Sequence, residues 1–186
     1  MSLNIFVFWI SKIVLIVFCK IFNINSMNST SIQTLTFIFD NETDHILLFQ
    51  IAEDGPLKRK HSGIKGQIGL LEDTTRAAVR SIEESSGLNV SEVVLRGVVK
   101  TIDAEKQLSA IYFVYETSKF SGELENKLPG RLKWVDILNI FNLPMESLVQ
   151  EIMPNLLDGE SFFEGTIHLN PLDQVINSEI RICNSI

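Results

Sequence analysis

The stretch "GQIGLLEDTTRAAVRSIEESSGL", Gly66–Leu88, decides how this chain is interpreted. It begins as a glycine-containing loop and continues with apolar residues at the three- and four-residue spacing of a helix. Asp73 or Thr74 can cap the helix, because their side-chain oxygens accept hydrogen bonds from free backbone N–H groups. Gly87, followed by a leucine, is the usual end of a helix. The stretch therefore predicts a loop followed by a helix at Thr74–Ser86.

The sequence on either side predicts strands. Runs of β-branched and aromatic residues separated by polar turns are typical of strands, and a four-residue turn between the first two predicts a hairpin. A second helix is predicted at residues 145–157, and a closing hairpin after it. This order indicates an α/β (α+β) domain. The predicted strands are Ile32–Asp40, His45–Ala52, Ser91–Ile102 and Leu108–Ser118, with a short strand or turn at Arg131–Ile137.

Composition excludes some classes of partner and site. The chain has 186 residues, of which 45% are hydrophobic, enough for the core of one domain. A net charge of −7 argues against nucleic acid as a partner, since phosphate backbones need a basic surface. The two cysteines, Cys19 and Cys183, lie far apart without a neighbouring Cys/His cluster, so a zinc site is not expected. Two reduced thiols favour a cytoplasmic protein.

The first 26 residues differ from the rest. Leu3–Ile24 is apolar and long enough to span a membrane, but Lys12 lies in its middle, where a charge opposes insertion. It could be a membrane anchor, an apolar segment packed on the domain or on a second chain, or an extension upstream of a true start at Met27. We favour the third interpretation, with the domain at residues 27–186. Membrane association through residues 3–24 is the alternative localisation.

The loop and helix resemble the box of the Nudix (MutT-like) family, G-x5-E-x7-R-E-U-x-E-E-x-G-U, where U is a bulky aliphatic residue. The surrounding strands and the ending "NLLDGESFFEG" also resemble small Nudix pyrophosphohydrolases. The resemblance implies the Nudix fold, a mixed β-sheet sandwiched between helices. Seven box positions match at the family spacing: Gly66, Glu72, Arg80, Ile82, Glu84, Gly87 and Leu88.

The chemistry that the resemblance implies is metal-dependent hydrolysis of a nucleoside diphosphate linked to another group. The cofactor would be Mg²⁺ or Mn²⁺, which prefer hard oxygen ligands. By this resemblance Glu72, Arg80 and Glu84 are the catalytic residues. The metal-ligand positions are occupied by Glu72, Glu84, Ser81 and Ser85. The family also implies a nucleotide-like small-molecule partner and leaves a homodimer possible.

Two box positions depart from the family pattern. Ser81 and Ser85 stand where the family has glutamates, so three carboxylates on one helical face are reduced to Glu84 alone. Two functions therefore stay open: a hydrolase in which other acids hold the metal, and a catalytically inactive module that binds a nucleotide or a protein. The candidate substitute acids outside the box are Glu116, Glu123 and Glu125.

The loop before the box is where the family contacts its substrate. By this resemblance Ser62, Lys65 and Gly66 are the candidate substrate-binding residues. The tryptophan–proline–acid–acid run with which a related branch reads oxidised guanine is missing from "LPMESLVQ", so that substrate is not supported.

Overall fold

The computed structural model describes residues 29–127, 130–159 and 161–183. The apolar N-terminal segment, and with it the predicted boundary after residue 26, lies outside these ranges. Within them, no helix is both long enough and apolar enough to span a membrane.

Nine strands of the described residues form one mixed sheet. Its order is β11-β10-β6-β7-β1-β2-β3, with β4 paired to β1 and β9 paired to β2, while β5 and β8 form a separate ribbon. The β1–β7 and β6–β10 pairs are parallel and the other pairs are antiparallel. Both predicted hairpins, β1–β2 and β10–β11, are confirmed, and the predicted loop at 53–63 ends in the short strand β3. The strands are β1 (Ser29–Asp40), β2 (His45–Ile51), β3 (His61–Ser62), β4 (Ile64–Gln67), β5 (Asn89–Val90), β6 (Val94–Asp103), β7 (Leu108–Thr117), β8 (Phe120–Ser121), β9 (Gly130–Asp136), β10 (Phe162–Leu169) and β11 (Val175–Cys183).

The first α-helix, α1 (Thr74–Ser86), has the predicted bounds. Of the two candidate capping residues, Asp73 caps the helix, with its carboxylate accepting a 2.8 Å hydrogen bond from the backbone N–H of Arg76. Gly87 ends the helix in the left-handed conformation at φ +73°, which favours glycine. Local sequence signals therefore determine both ends of α1.

The second α-helix, α2 (Ser147–Leu157), starts two residues after the predicted start at Met145. A 3-10 helix at Ile137–Asn142, which the sequence did not predict, precedes it. At six residues, this element is too short to show a helical period.

The two α-helices cover opposite faces of the sheet. On β1, Leu35 and Phe37 belong to the core cluster that contains Leu148 of α2. Ile38, which points to the other face, belongs to a smaller cluster with Ile82 of α1. Alternation of side chains along a strand produces these two layers. The predicted architecture, a mixed sheet between helices, is confirmed.

Candidate functional site

Arg80 ties the loop before α1 to the helix. Its Nε and Nη2 donate to the two carboxylate oxygens of Glu72, both at 2.8 Å. Nη2 also donates to the carbonyl of Gln67 at 2.8 Å, and Nη1 donates to Glu84 at 2.9 Å. Glu72 accepts a further hydrogen bond from the N–H of Gly69. One guanidinium therefore binds both carboxylates that the box retains.

The Arg80 clamp determines the electrostatics of the loop. Hydrogen bonds from the Arg80 guanidinium, and then from the backbone of Gly69, lower the pKa of Glu72 to about 2. The same pairing with Glu72 outweighs desolvation and raises the pKa of Arg80. Glu84 is more open, with 62% of its side chain exposed, and within the described part of the chain its ion-pair partner is Arg80, four residues earlier.

The two serines at box positions point into the protein. Ser81 is 5% exposed and Ser85 is 2% exposed. The Ser81 hydroxyl donates to the carbonyl of Ala77 at 2.6 Å, and the Ser85 hydroxyl donates to the carbonyl of Ser81. Such bonds to the carbonyl four residues earlier satisfy a serine within its own helix. The proton of each hydroxyl is therefore engaged in a hydrogen bond within α1.

Close packing explains the small side chain at position 81. A Cβ atom added to Gly66 would lie 1.8 Å from the Ser81 Oγ and 2.8 Å from the Thr34 Oγ1. Helix α1 thus rests on β4 and β1 through a glycine and small hydroxyl residues. A glutamate at position 81 would need space that this packing does not leave.

Ser85, by contrast, lines a cavity of about 330 Å³, here called the Ser85 cavity. Ser62 and Lys65, the predicted substrate-binding residues, line the same cavity, whereas Gly66 does not. The structure therefore places three of the candidate site residues around one space. The apolar walls of the Ser85 cavity are Phe49, Ile51, Ala52, Leu57 and Ile64.

A buried acid that the sequence did not single out lies next to these residues. Glu146 accepts a 2.8 Å hydrogen bond from the Ser62 hydroxyl and pairs with the Lys65 ammonium at 2.5 Å. The Lys65 ammonium also lies 5.3 Å from the centroid of the Tyr112 ring. Burial opposes the charge of Lys65, but the Glu146 carboxylate prevails and raises the pKa of Lys65. No sequence pattern distinguishes Glu146, because it falls inside the helix predicted at 145–157, where acids are common.

The candidate substitute acids do not converge on the box. Glu116 lies on the α2 face of β7, so the sheet separates it from α1, and it pairs with Arg96 at 2.6 Å. Glu125 lies beside the end of α1, since its N–H donates to the carbonyl of Ser86 at 2.7 Å. Glu123 is exposed in the same loop. Of the three, Glu125 is the one whose backbone bonds to α1.

The residues at the box positions do not fit a carboxylate-held divalent ion. Mg²⁺ and Mn²⁺ prefer several oxygen ligands, with carboxylates supplying the charge. Arg80 binds Glu72 and Glu84, and the helix itself satisfies Ser81 and Ser85. In the three described ranges, no three Asp, Glu, His or Cys side chains group closely enough to hold a metal ion.

Solved structures superpose on this arrangement of strands and helices. The mutator MutT protein from Bacillus halodurans matches with a TM-score of 0.72 and 21% identity, over 81% of this chain and 97% of that chain. The chain has the Nudix fold. A MutT Nudix hydrolase from Burkholderia pseudomallei matches with a TM-score of 0.61 and 24% identity, over 69% of this chain and 98% of that chain. The Nudix domain of Shewanella oneidensis NrtR, in complex with ADP-ribose, matches with a TM-score of 0.56 and 12% identity, over 70% of this chain and 86% of that chain.

No protein-family model matches the sequence. At sequence identities of 12% to 24%, the solved structures establish the Nudix fold alone. Within this fold, α1 and the loop before it carry the stretch that resembles the Nudix box.

Proposed function

We propose that this protein is a Nudix-fold module that binds a nucleotide-like ligand in the Ser85 cavity and does not hydrolyse it through a metal centre. One observation carries the proposal: the side chains at two box positions are buried serines that donate into their own helix. Neither serine brings the negative charge that would hold a divalent ion. The two remaining box carboxylates form a clamp with Arg80.

The lining of the Ser85 cavity supports the ligand class. Its apolar walls suit a flat base, Ser62 and Lys65 supply a hydroxyl and an ammonium, and Glu53 is the one acid among the described residues of the lining. In this proposal Ser62 and Lys65 contact the ligand, while Glu146 holds them in place. Gly66 contributes indirectly by allowing α1 to approach β4. The Nudix domain of Shewanella oneidensis NrtR, which was solved in complex with ADP-ribose, supports this choice of ligand class.

Ligand binding is tested by calorimetry on the full chain with a panel of ADP-ribose, nucleoside triphosphates and dinucleotides, without metal. Ala52→Trp fills a wall of the cavity, and Ala104→Trp, in the exposed turn between β6 and β7, is the matched control. Binding is expected in the natural protein and in the control, and it should be lost in Ala52→Trp. Binding that survives Ala52→Trp, or no binding across the panel, would refute the proposed site.

The absence of turnover is tested with the same panel in Mg²⁺ or Mn²⁺. The expected rate for the natural protein equals that of Glu84→Gln. Ser85→Glu restores a carboxylate at the box position that lines the cavity, and it shows whether the loss of that carboxylate contributes to the lack of turnover, provided that circular dichroism and melting show the variant folded. Turnover in the natural protein above the Glu84→Gln variant would overturn the proposal.

A divergent Nudix hydrolase that cleaves a pyrophosphate bond is the second candidate. It is favoured by the exposed carboxylate of Glu84 on α1 and by the position of Glu125 beside the end of that helix. In this case Glu125 would substitute for a missing box glutamate. Turnover that falls in both Glu84→Gln and Glu125→Gln, but not in the loop control Glu123→Gln, would favour this candidate.

A further inference from the structure

Strand β11 is the last strand at one edge of the large sheet that the described residues form. Among the described residues it pairs with β10 alone, so the backbone groups on its other side have no strand partner. It is nine residues long, and most of its side chains are exposed. A long exposed edge is a template for pairing with another strand, and proteins usually guard such edges.

One face of this edge is apolar. Ile180 and Ile182 lie on the same face of β11, because side chains alternate along a strand. The register shifts opposite His168 and Leu169, so this alternation does not continue through Ile176. Ile180 packs partly against the α2-side core. Ile182 is 50% exposed. A strand added at this edge would continue the sheet and cover part of that apolar surface.

The other face carries one acid and one base, placed symmetrically. Glu179 and Arg181 flank Ile180 on either side. Among the described residues, neither forms an ion pair within 4 Å. If two copies of β11 run antiparallel about Ile180, Glu179 of each copy lies opposite Arg181 of the other. Opposite charges directly across a strand pair are favourable.

Charge also selects this register over its neighbours. Moving the centre of symmetry to Glu179 would place two glutamates opposite each other. Moving it to Arg181 would place two arginines opposite each other. Like charges in directly opposed positions destabilise a strand pair, so the register centred on Ile180 is the favoured one of the three.

We infer that β11 binds β11 of a second copy of this chain, antiparallel and centred on Ile180, to form a symmetric dimer with one continuous sheet. The surface is self-complementary, as a two-fold interface requires. The edge lies at the opposite end of the strand order from β3, which lines the Ser85 cavity. An experiment that refutes the dimer therefore leaves the proposed ligand site untouched, and the reverse also holds.

Charge reversal tests the pairing by sedimentation velocity on the full chain. Glu179→Arg and Arg181→Glu each replace two attractive pairs by two repulsive ones, so each should raise the dimer dissociation constant about tenfold or more. Because Glu164 of β10 lies opposite position 181 within the chain, both variants that carry Arg181→Glu are made in a Glu164→Gln background, with Glu164→Gln alone as their reference. The double reversal restores opposite charges across the strands and should recover the dimer. Glu105→Arg, in the exposed turn between β6 and β7, is the matched control and should leave the constant unchanged.

The register is tested by crosslinking. With the Ile180 centre, position 177 lies opposite position 183 of the second copy. In a Cys19→Ser background, Asn177→Cys together with the native Cys183 should give covalent dimers with a short bismaleimide, and adding Cys183→Ser should abolish them. A monomeric natural protein, reversals without effect, failure of the double reversal to recover the dimer, or crosslinks that persist without Cys183 would overturn the inference.

Discussion

Helix α1 and the start of α2 bury polar side chains in opposite ways. On α1, Ser81 and Ser85 bury neutral hydroxyls that donate to carbonyls of their own helix. Beside α2, Glu146 buries a carboxylate that binds the Lys65 ammonium from β4. A hydroxyl bonded within its helix depends on one local partner, whereas each charge of a buried pair depends on a residue far away in sequence. We therefore expect substitutions of Ser81 and Ser85 to be tolerated, and substitutions of Glu146 to destabilise the protein.

The largest expected effect comes from removing one charge of the buried pair. Glu146→Ala leaves the Lys65 ammonium without its carboxylate and the Ser62 hydroxyl without its acceptor. We expect the free energy of unfolding to fall by about 3 kcal/mol, at the lower end of the range for breaking a buried pair, because 29% of the Lys65 side chain stays exposed. Denaturant unfolding followed by circular dichroism measures the change.

The matched control removes both charges. Lys65→Met/Glu146→Leu should lose less than the single variant, because no buried charge is left alone. A double variant as unstable as Glu146→Ala would contradict the assignment of Lys65 and Glu146 as a mutually dependent pair.

An intermediate effect is expected at the Arg80 clamp, which is charged like the pair at Glu146 but more exposed. Because the folded state holds the pKa of Glu72 at about 2, below its ordinary 4.5, this stabilisation is present above pH 4.5 and is lost as the pH falls towards 2. Arg80→Met should therefore lower the Tm at pH 7 and flatten the dependence of Tm on pH between 4.5 and 2. Thermal melts across this range measure it. Equal slopes in both proteins would show that the clamp does not hold Glu72 ionised.

The smallest effect is expected at the serines. Ser81→Ala and Ser85→Ala each remove a hydroxyl that donates to its own helix, so the free energy of unfolding should change by about 1 kcal/mol or less. Neither variant should alter the affinity for Mn²⁺. A loss of Mn²⁺ affinity in either variant would show that the hydroxyl is a ligand, against its burial.

Local signals in the sequence predicted much of the fold. Asp73 and Gly87 determined the ends of α1, and runs of β-branched and aromatic residues separated by polar turns predicted both hairpins. The resemblance to the Nudix box indicated the fold, because the long spaced motif matched at seven positions. The sequence could not show that Ser81 turns inward, since that depends on how closely α1 approaches Gly66. It could not single out Glu146 either, because the partners of Glu146 lie about 80 residues away and meet it only in the folded chain.

Mn²⁺ binding to the full chain, followed by electron paramagnetic resonance, tests the central claim most directly. The claim is that the Nudix box keeps its frame but has lost the charge that holds a metal ion. The predicted result is a Mn²⁺ titration for the natural protein that matches the titration of Glu84→Gln. Saturable binding of Mn²⁺ to the natural protein that disappears in Glu84→Gln would contradict it.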